Sequence, residues 1–351
     1  MKIILAGLVC LVNGIWVQAA NISGSVQASY NYNLTIPGDS TANVGHSYDA
    51  KSKTFTLNNA HLTINGSDTA SGLGYAIGLD AGSDAMMNST FSTGAAYLLD
   101  VQEAYLTYAL GSSGLGLKAG KYVTYEGIEV VAGGANPTIT RGFLFGMAEC
   151  VSHTGVELSF SSGMFEGHIG AINGWDLMVD NNTMPSIMAK VGLNLGDPLM
   201  IAVSGIMGPE QTANTDDMRT SVDLVGVTKL IPKVDLWFQG NYGMESFDAT
   251  KADSSASWLG FGVQPLVHLS EKFGLGLRYE YFSDPDGVRA ILGKDINLQT
   301  FSVAPTFWIT TGLTARVEFR MDMASEDIYQ DSDGAATGSQ MQVAADMVAS
   351  F

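Results

Sequence analysis

The chain has 351 residues, room for two or three soluble domains of ordinary size, yet only 15% of them are charged, against about 25% in a typical soluble protein. Hydrophobic residues make up 46%, mean hydropathy is +0.15 and glycine reaches 41 residues, a balance that argues against disorder and against a helix-rich fold. Lys+Arg 17 against Asp+Glu 35 leaves a net charge of −18, which repels phosphate backbones and excludes a nucleic-acid partner.

Residues 1–19 read as a secretory signal: Lys2 supplies the basic end, Ile3 to Val12 the apolar stretch, and Val17-Gln18-Ala19 a small-x-small cleavage site. Residues 20–351 are then one transmembrane domain. With the signal removed, Cys150 is the only remaining cysteine and no intrachain disulfide can form. Beyond Ala20 no run approaches the roughly 18 apolar residues that a spanning helix requires. Strict alternation recurs instead. Leu73, Tyr75, Ile77 and Leu79 alternate with small residues, and Val234, Leu236, Phe238 and Tyr242 with Asp235, Trp237, Gln239 and Asn241. Phe273, Leu275, Leu277, Tyr279 and Tyr281 alternate with Gly274, Gly276, Arg278 and Glu280, and Leu313 to Met321 with Thr314, Arg316, Glu318, Arg320 and Asp322. Period two is the signature of a strand with a different solvent on each face.

Such segments occur near 22–33, 55–65, 72–81, 97–110, 115–122, 150–160, 165–173, 186–195, 199–208, 218–230, 234–242, 256–269, 273–282, 296–309, 313–321 and 339–351. These are about sixteen strands, each near the 9–11 residues a tilted strand needs to cross a bilayer. Their connections divide into tight ones, such as Gly196-Asp197-Pro198, Ile231-Pro232-Lys233 and Ser270-Glu271-Lys272, and long polar ones, such as Leu34 to Thr54 and Asp322 to Gly338. The predicted fold is all-β: a transmembrane antiparallel up-and-down barrel with short turns at one end and long external loops at the other. The last strand ends on Phe351. Tyr30, Tyr32, Tyr108, Phe160, Tyr242, Tyr281 and Phe351 are candidates for interfacial aromatic girdles.

Alternation assigns Glu103, Lys118, Glu157, Glu166, Lys190, Asp223, Asp235, Arg278, Glu280, Arg316, Glu318 and Arg320 to the lumen, as pore-lining charges or as salt bridges between neighbouring strands. The longest connection, 123–149, carries Glu126, Glu129, Arg141 and Glu149 and is expected to fold inward as a constriction loop; a loop that merely covers the mouth is the alternative. Acidic external loops would concentrate cations at that mouth. Gly114 to Ala119 has the G-x-G-x-x-A spacing of a dinucleotide motif, but it opens a strand where that motif needs a helix. Asp284-Pro285-Asp286-Gly287 and Asp331-Ser332-Asp333-Gly334 read as turns, since the twelve-residue calcium-loop spacing is missing. The five histidines show no metal-ligand spacing, and no catalytic residue, metal or cofactor is expected.

Several strings together resemble the OmpL-like outer-membrane β-barrel porin family of Gram-negative bacteria. They are Phe55-Thr56-Leu57-Asn58-Asn59-Ala60, Gln102-Glu103-Ala104-Tyr105, Gly127-Ile128-Glu129, Gly174-Trp175-Asp176, Gly208-Pro209-Glu210, Leu277-Arg278-Tyr279-Glu280-Tyr281-Phe282 and Arg316-Val317-Glu318-Phe319-Arg320-Met321-Asp322. The resemblance implies an outer-membrane location and passive transport of ions and small hydrophilic solutes, with lipids and passing solutes as the partners and no enzymatic activity. A homo-oligomer is compatible with it. The competing expectations are a barrel whose lumen the loop blocks, serving as an adhesin or structural anchor, and an outer-membrane hydrolase.

Overall fold

The computed structural model describes residues 20–247, 254–290 and 294–351; the expected signal segment lies outside the described residues. Sixteen antiparallel strands close into one barrel. In chain order they are β1 (Asn21–Asn33), β2 (Thr54–Asp68), β3 (Leu73–Ala81), β4 (Leu99–Ala109), β5 (Leu115–Val123), β6 (Ser152–Ser162), β7 (Phe165–Ile172) and β8 (Ser186–Asn194). There follow β9 (Leu199–Pro209), β10 (Met218–Ile231), β11 (Val234–Ser246), β12 (Ser255–His268), β13 (Phe273–Asp284), β14 (Ile296–Thr310), β15 (Leu313–Ala324) and β18 (Ser339–Ser350). Between the last two, β16 (Tyr329–Gln330) and β17 (Ala336–Thr337) form a small hairpin in the final long loop. Each strand pairs with its neighbours in sequence, and β18 returns to β1 through pairs from Ser25 with Ser350 to Asn33 with Gln342. Closure leaves no edge, so every ladder group is satisfied without water, as a bilayer demands.

The two faces sort as the alternation predicts. On β13, Gly274, Gly276, Arg278, Glu280, Phe282 and Asp284 are buried inside, while the residues between them face out. The outward face carries the exposed apolar side chains, among them Phe261, Phe301, Phe307 and Phe319. All seven girdle candidates lie on that outer face or at its end. Phe351 exchanges backbone hydrogen bonds with Gly24 at 3.0 and 3.1 Å and lays its ring where a Cβ on Gly24 would sit, so the chain terminus is sealed onto the first strand.

Wall height is uneven. Strands β3 to β9 have 8–11 residues and β10 to β15 have 12–15. The loop after β3 holds one helix, α1 (Ser83–Thr93), ended by Gly94 at φ 74°. The alternation does not announce it, because its buried residues are mostly polar (Asp84, Asn88, Ser89 and Ser92); it docks by hydrogen bonds together with Met87 and Phe91, which pack on Tyr48, Val131, Phe145 and Val151. The acidic turn motifs do turn chemistry: the Asp284 carboxylate accepts the amides of Val288, Arg289 and Ala290, and Asp331 Oδ1 accepts those of Asp333 and Ala335. Gly114 sits at φ 78° in the tight turn before β5.

Candidate pore and its inward loop

Residues 124–151 connect β5 to β6 and lie within the barrel, bonded to inward-facing wall residues strand after strand. The Tyr125 carbonyl accepts Ser204 Oγ of β9 at 2.8 Å, Glu126 accepts the Ser221 hydroxyl of β10, and the Gly127 amide donates to Asp223 at 3.0 Å. Glu129 pairs with Arg278 of β13 at 3.2 Å. The far end reaches β15, β18 and β1. Arg316 donates to the carbonyls of Gly133, Asn136 and Thr138 while pairing with Asp346 at 2.6 Å. The loop then returns past Glu318, which accepts the amides of Ile139 and Thr140 at 2.7 and 2.8 Å, and past Glu280, which accepts that of Leu144 at 3.3 Å. A π-helical turn (Leu144–Ala148) packs its apolar side chains against Trp258, Phe282 and Leu298, an apolar cluster inside the barrel. Trp258 Nε1 donates to the Ala148 carbonyl at 3.0 Å.

Two of these seats are closed against a glycine. A Cβ at Gly276 would lie 1.9 Å from the Pro137 carbonyl oxygen, and one at Gly260 would lie 2.1 Å from Leu144 Cδ2. Glycines on the inner face thus let the Pro137 backbone approach β13 and the Leu144 side chain approach β12.

The wall charges beneath the loop are sequestered. The side chains of Arg278, Arg316, Arg320 and Glu318 are 0–2% exposed, and each is ion-paired or bonded to loop backbone. Arg320 pairs with Asp322 at 2.7 Å and donates to the Arg141 carbonyl at 2.7 Å. Arg141, on the loop, reaches Asp84 of α1 at 3.2 Å, so helix and loop are tied together. Burial and the nearby Asp223 push Glu126 up to about 8, and Glu149, which accepts Gln239, is pushed well above the carboxylate range for the same reasons. A second external segment also folds in: His46 bridges Asp49 and Asp322, each at 2.6 Å. Burial and Arg320 oppose a charge on His46, but Asp49 and Asp322 outweigh them and its pKa is raised.

The other side of the lumen is different. On β2 to β8, His61, Lys118, His168 and Lys190 keep 15–19% of their side-chain surface in water and Glu166 keeps 37%. Thr63, Asn65, Thr107 and Ser159 on the same inner face are half-buried. Glu157 is buried there, 3.1 Å from Lys118. Glu103 is half-buried and accepts the Val123 amide at 3.3 Å, and Asp235 pairs with His268 near the short-turn end. The sequence-assigned charges therefore separate into two groups. Glu126, Glu129, Arg141, Glu149, Asp223, Arg278, Glu280, Arg316, Glu318 and Arg320 meet at the loop, while Lys118, Glu157, Glu166 and Lys190 meet on the opposite wall. Sequence reasoning missed Tyr105, Tyr122, Tyr125 and His168, which join the second group. His168 was within reach, two positions after Glu166 and hence on the same face of β7. Among the described residues, no group of three or more His, Cys, Asp and Glu is placed to hold a metal ion.

The sequence profile of the family described as "Putative beta-barrel porin-2, OmpL-like" matches residues 19–351. No curated protein matches the sequence. Solved structures share the fold at low identity. The outer-membrane channel DcaP of Acinetobacter baumannii is 14% identical with a TM-score of 0.66, covering 95% of this chain and 97% of its own. The anion-selective porin from Comamonas acidovorans is 10% identical with a TM-score of 0.65, covering 95% and 99%. Outer-membrane-expressed OmpT of Vibrio cholerae is 12% identical with a TM-score of 0.62, covering 95% and 97%. With a closed sixteen-strand barrel, an apolar outer face and a polar interior entered by a long loop, the chain belongs to the OmpL-like β-barrel porin family and is a porin of the Gram-negative outer membrane.

Proposed function

We propose that the porin is a water-filled passive channel for ions and small hydrophilic solutes, narrowed by residues 124–151 to a passage along the β2 to β8 side. The supporting observation is the contrast in exposure, with arginines and carboxylates at 0–2% under the loop and lysines, histidines and a glutamate at 15–37% on the facing wall. Solutes move down their gradients and no bond is made or broken. The loop acts as a constriction because each anchoring bond takes volume from one side of the lumen, and the charges left in water set the local potential a solute meets. The protein does no catalysis in this reading. Its oligomeric form is that of a self-associating barrel, the state recorded for the trimer form of Vibrio cholerae OmpT.

The test is single-channel conductance in planar bilayers. Replacing residues 126–149 by a short glycine-serine linker is expected to raise conductance severalfold. Unchanged conductance would remove the constriction role, and a native protein that conducts nothing would favour an adhesin or anchor with a blocked lumen.

A further inference from the structure

The water-facing side of the lumen carries an assembly that the constriction reading leaves unused. Lys118 Nζ lies 5.2 Å from the ring centre of Tyr105, 4.6 Å from that of Tyr122 and 5.2 Å from that of Tyr125. Lys118 Nζ also donates to the Tyr125 hydroxyl at 2.8 Å, and Lys190 Nζ lies 4.9 Å from the centre of the same ring, so one tyrosine holds both ammonium groups, the first at its hydroxyl and the second at its ring. Such ring faces hold cations by their quadrupole and keep them in place without neutralising them.

The acids of the cluster are unequal. Glu157 is fully buried: its Oε1 accepts Lys118 at 3.1 Å, the Tyr125 hydroxyl at 2.8 Å and His168 Nδ1 at 3.1 Å, and its Oε2 has no partner. Glu166, paired with Lys190 at 2.6 Å, is 37% exposed and is the acid that water reaches. A passing ion therefore meets Lys118, Lys190 and one replaceable carboxylate, while the second negative charge is withdrawn beneath the lysines. An ion pair that water reaches, as it reaches Lys190 and Glu166 at 17% and 37% exposure, is held less firmly than a fully buried one and exchanges more easily. The clamp arginines on the other side offer no such exchange, being 0–2% exposed with their partners buried.

We infer that Lys118 and Lys190, seated on Tyr105, Tyr122 and Tyr125, form an anion-preferring station in which small inorganic and carboxylate anions exchange with Glu166 as they pass. The station rests on the porin reading, since it needs a conducting lumen. It places charge selectivity on β5 to β8 and leaves the arginines of β13 and β15 to hold the loop.

The full-length protein in planar bilayers, under a potassium chloride gradient, provides the test by reversal potential. Lys190→Gln is expected to shift the chloride-to-potassium permeability ratio toward potassium by roughly fourfold, since one unit charge about 10 Å from an ion in water carries a Boltzmann weight of about two that acts in opposite directions on the two ions. Glu166→Gln is expected to shift it by a similar factor toward chloride. Lys118→Gln repeats the first shift, and because it strips a buried glutamate of its lysine, the two variants of the exposed pair carry the test if it fails to fold. Unchanged ratios in both Lys190→Gln and Glu166→Gln, with conductance intact, overturn the station alone. A native protein with no conductance overturns the porin reading and the station with it.

Discussion

The two sides of this lumen both pair inward-facing cations with acids, yet one is buried and the other is open to water. On β13, β15 and β18, Arg278, Arg316 and Arg320 face inward beside Glu318, Asp322 and Asp346, and every one of these groups is consumed by a loop or by its neighbour. On β5 to β8, Lys118 and Lys190 face inward beside Glu157 and Glu166 and remain in contact with water. Arginine suits the first side. Its planar fork reaches several carbonyls at once, as Arg316 does with Gly133, Asn136 and Thr138. Lysine suits the second, as a hydrated point charge on a flexible stem. The comparison shows that inward-facing charge in a barrel is not one structural class, because burial decides whether it holds the loop or stays open to water.

The contrast breaks most plainly if the loop is removed, which exposes the arginine wall and raises conductance. Next in size is Arg278→Ala. It strands the buried Glu129 and Glu318 and is expected to cost about 3–5 kcal/mol, read as an earlier transition in heat-dependent gel mobility together with unstable conductance levels. A variant unchanged in both would show that the remaining anchors at Asp223, Arg316, Glu318 and Arg320 hold the loop without Arg278.

A pH series sharpens the comparison with a smaller effect. Glu126 rises to about 8 from an ordinary 4.5, and Glu149 also lies above its ordinary value, so the seated loop keeps protons that a free loop would release. Their contribution to seating is whole below about pH 4.5 and fades as pH climbs through about 8. His46 runs the same way: its raised pKa means its clamp on the first external loop is complete below 6.5 and is lost once pH passes the raised value. Conductance is therefore expected to grow between about pH 5 and about pH 9, and Glu126→Gln with Glu149→Gln to flatten the rise. A profile that falls with pH would place the titrating groups elsewhere. The smallest effect belongs to Lys229→Ala. Its pairing with Asp197 is 3.8 Å long and largely in water, so neither melting nor selectivity should change.

Much of the wall was legible in the chain itself. The alternation along Phe273 to Tyr281 and along Leu313 to Asp322 names lipid face and lumen face residue by residue, and the observed burial follows it. The candidate site was legible only as a set of inward-pointing residues. Nothing local distinguishes Arg316 from Lys190, since both occupy alternate strand positions beside acids. Tyr125 and α1 carried no usable pattern: the first sits in a loop without periodicity, and the second buries polar residues.

The sequence by itself determined a closed barrel, because a period of two with one apolar face has no stable form in a bilayer except a sheet without edges. It also determined which side chains point inward. Only the tertiary structure decided which of those meet water. That choice depends on where residues 124–151 come to rest, and the bonds that settle it join residues far apart in the chain, such as Thr140 with Glu318 and Gly133 with Arg316. Such bonds need the closed barrel, which sets β5, β13, β15 and β18 around one lumen.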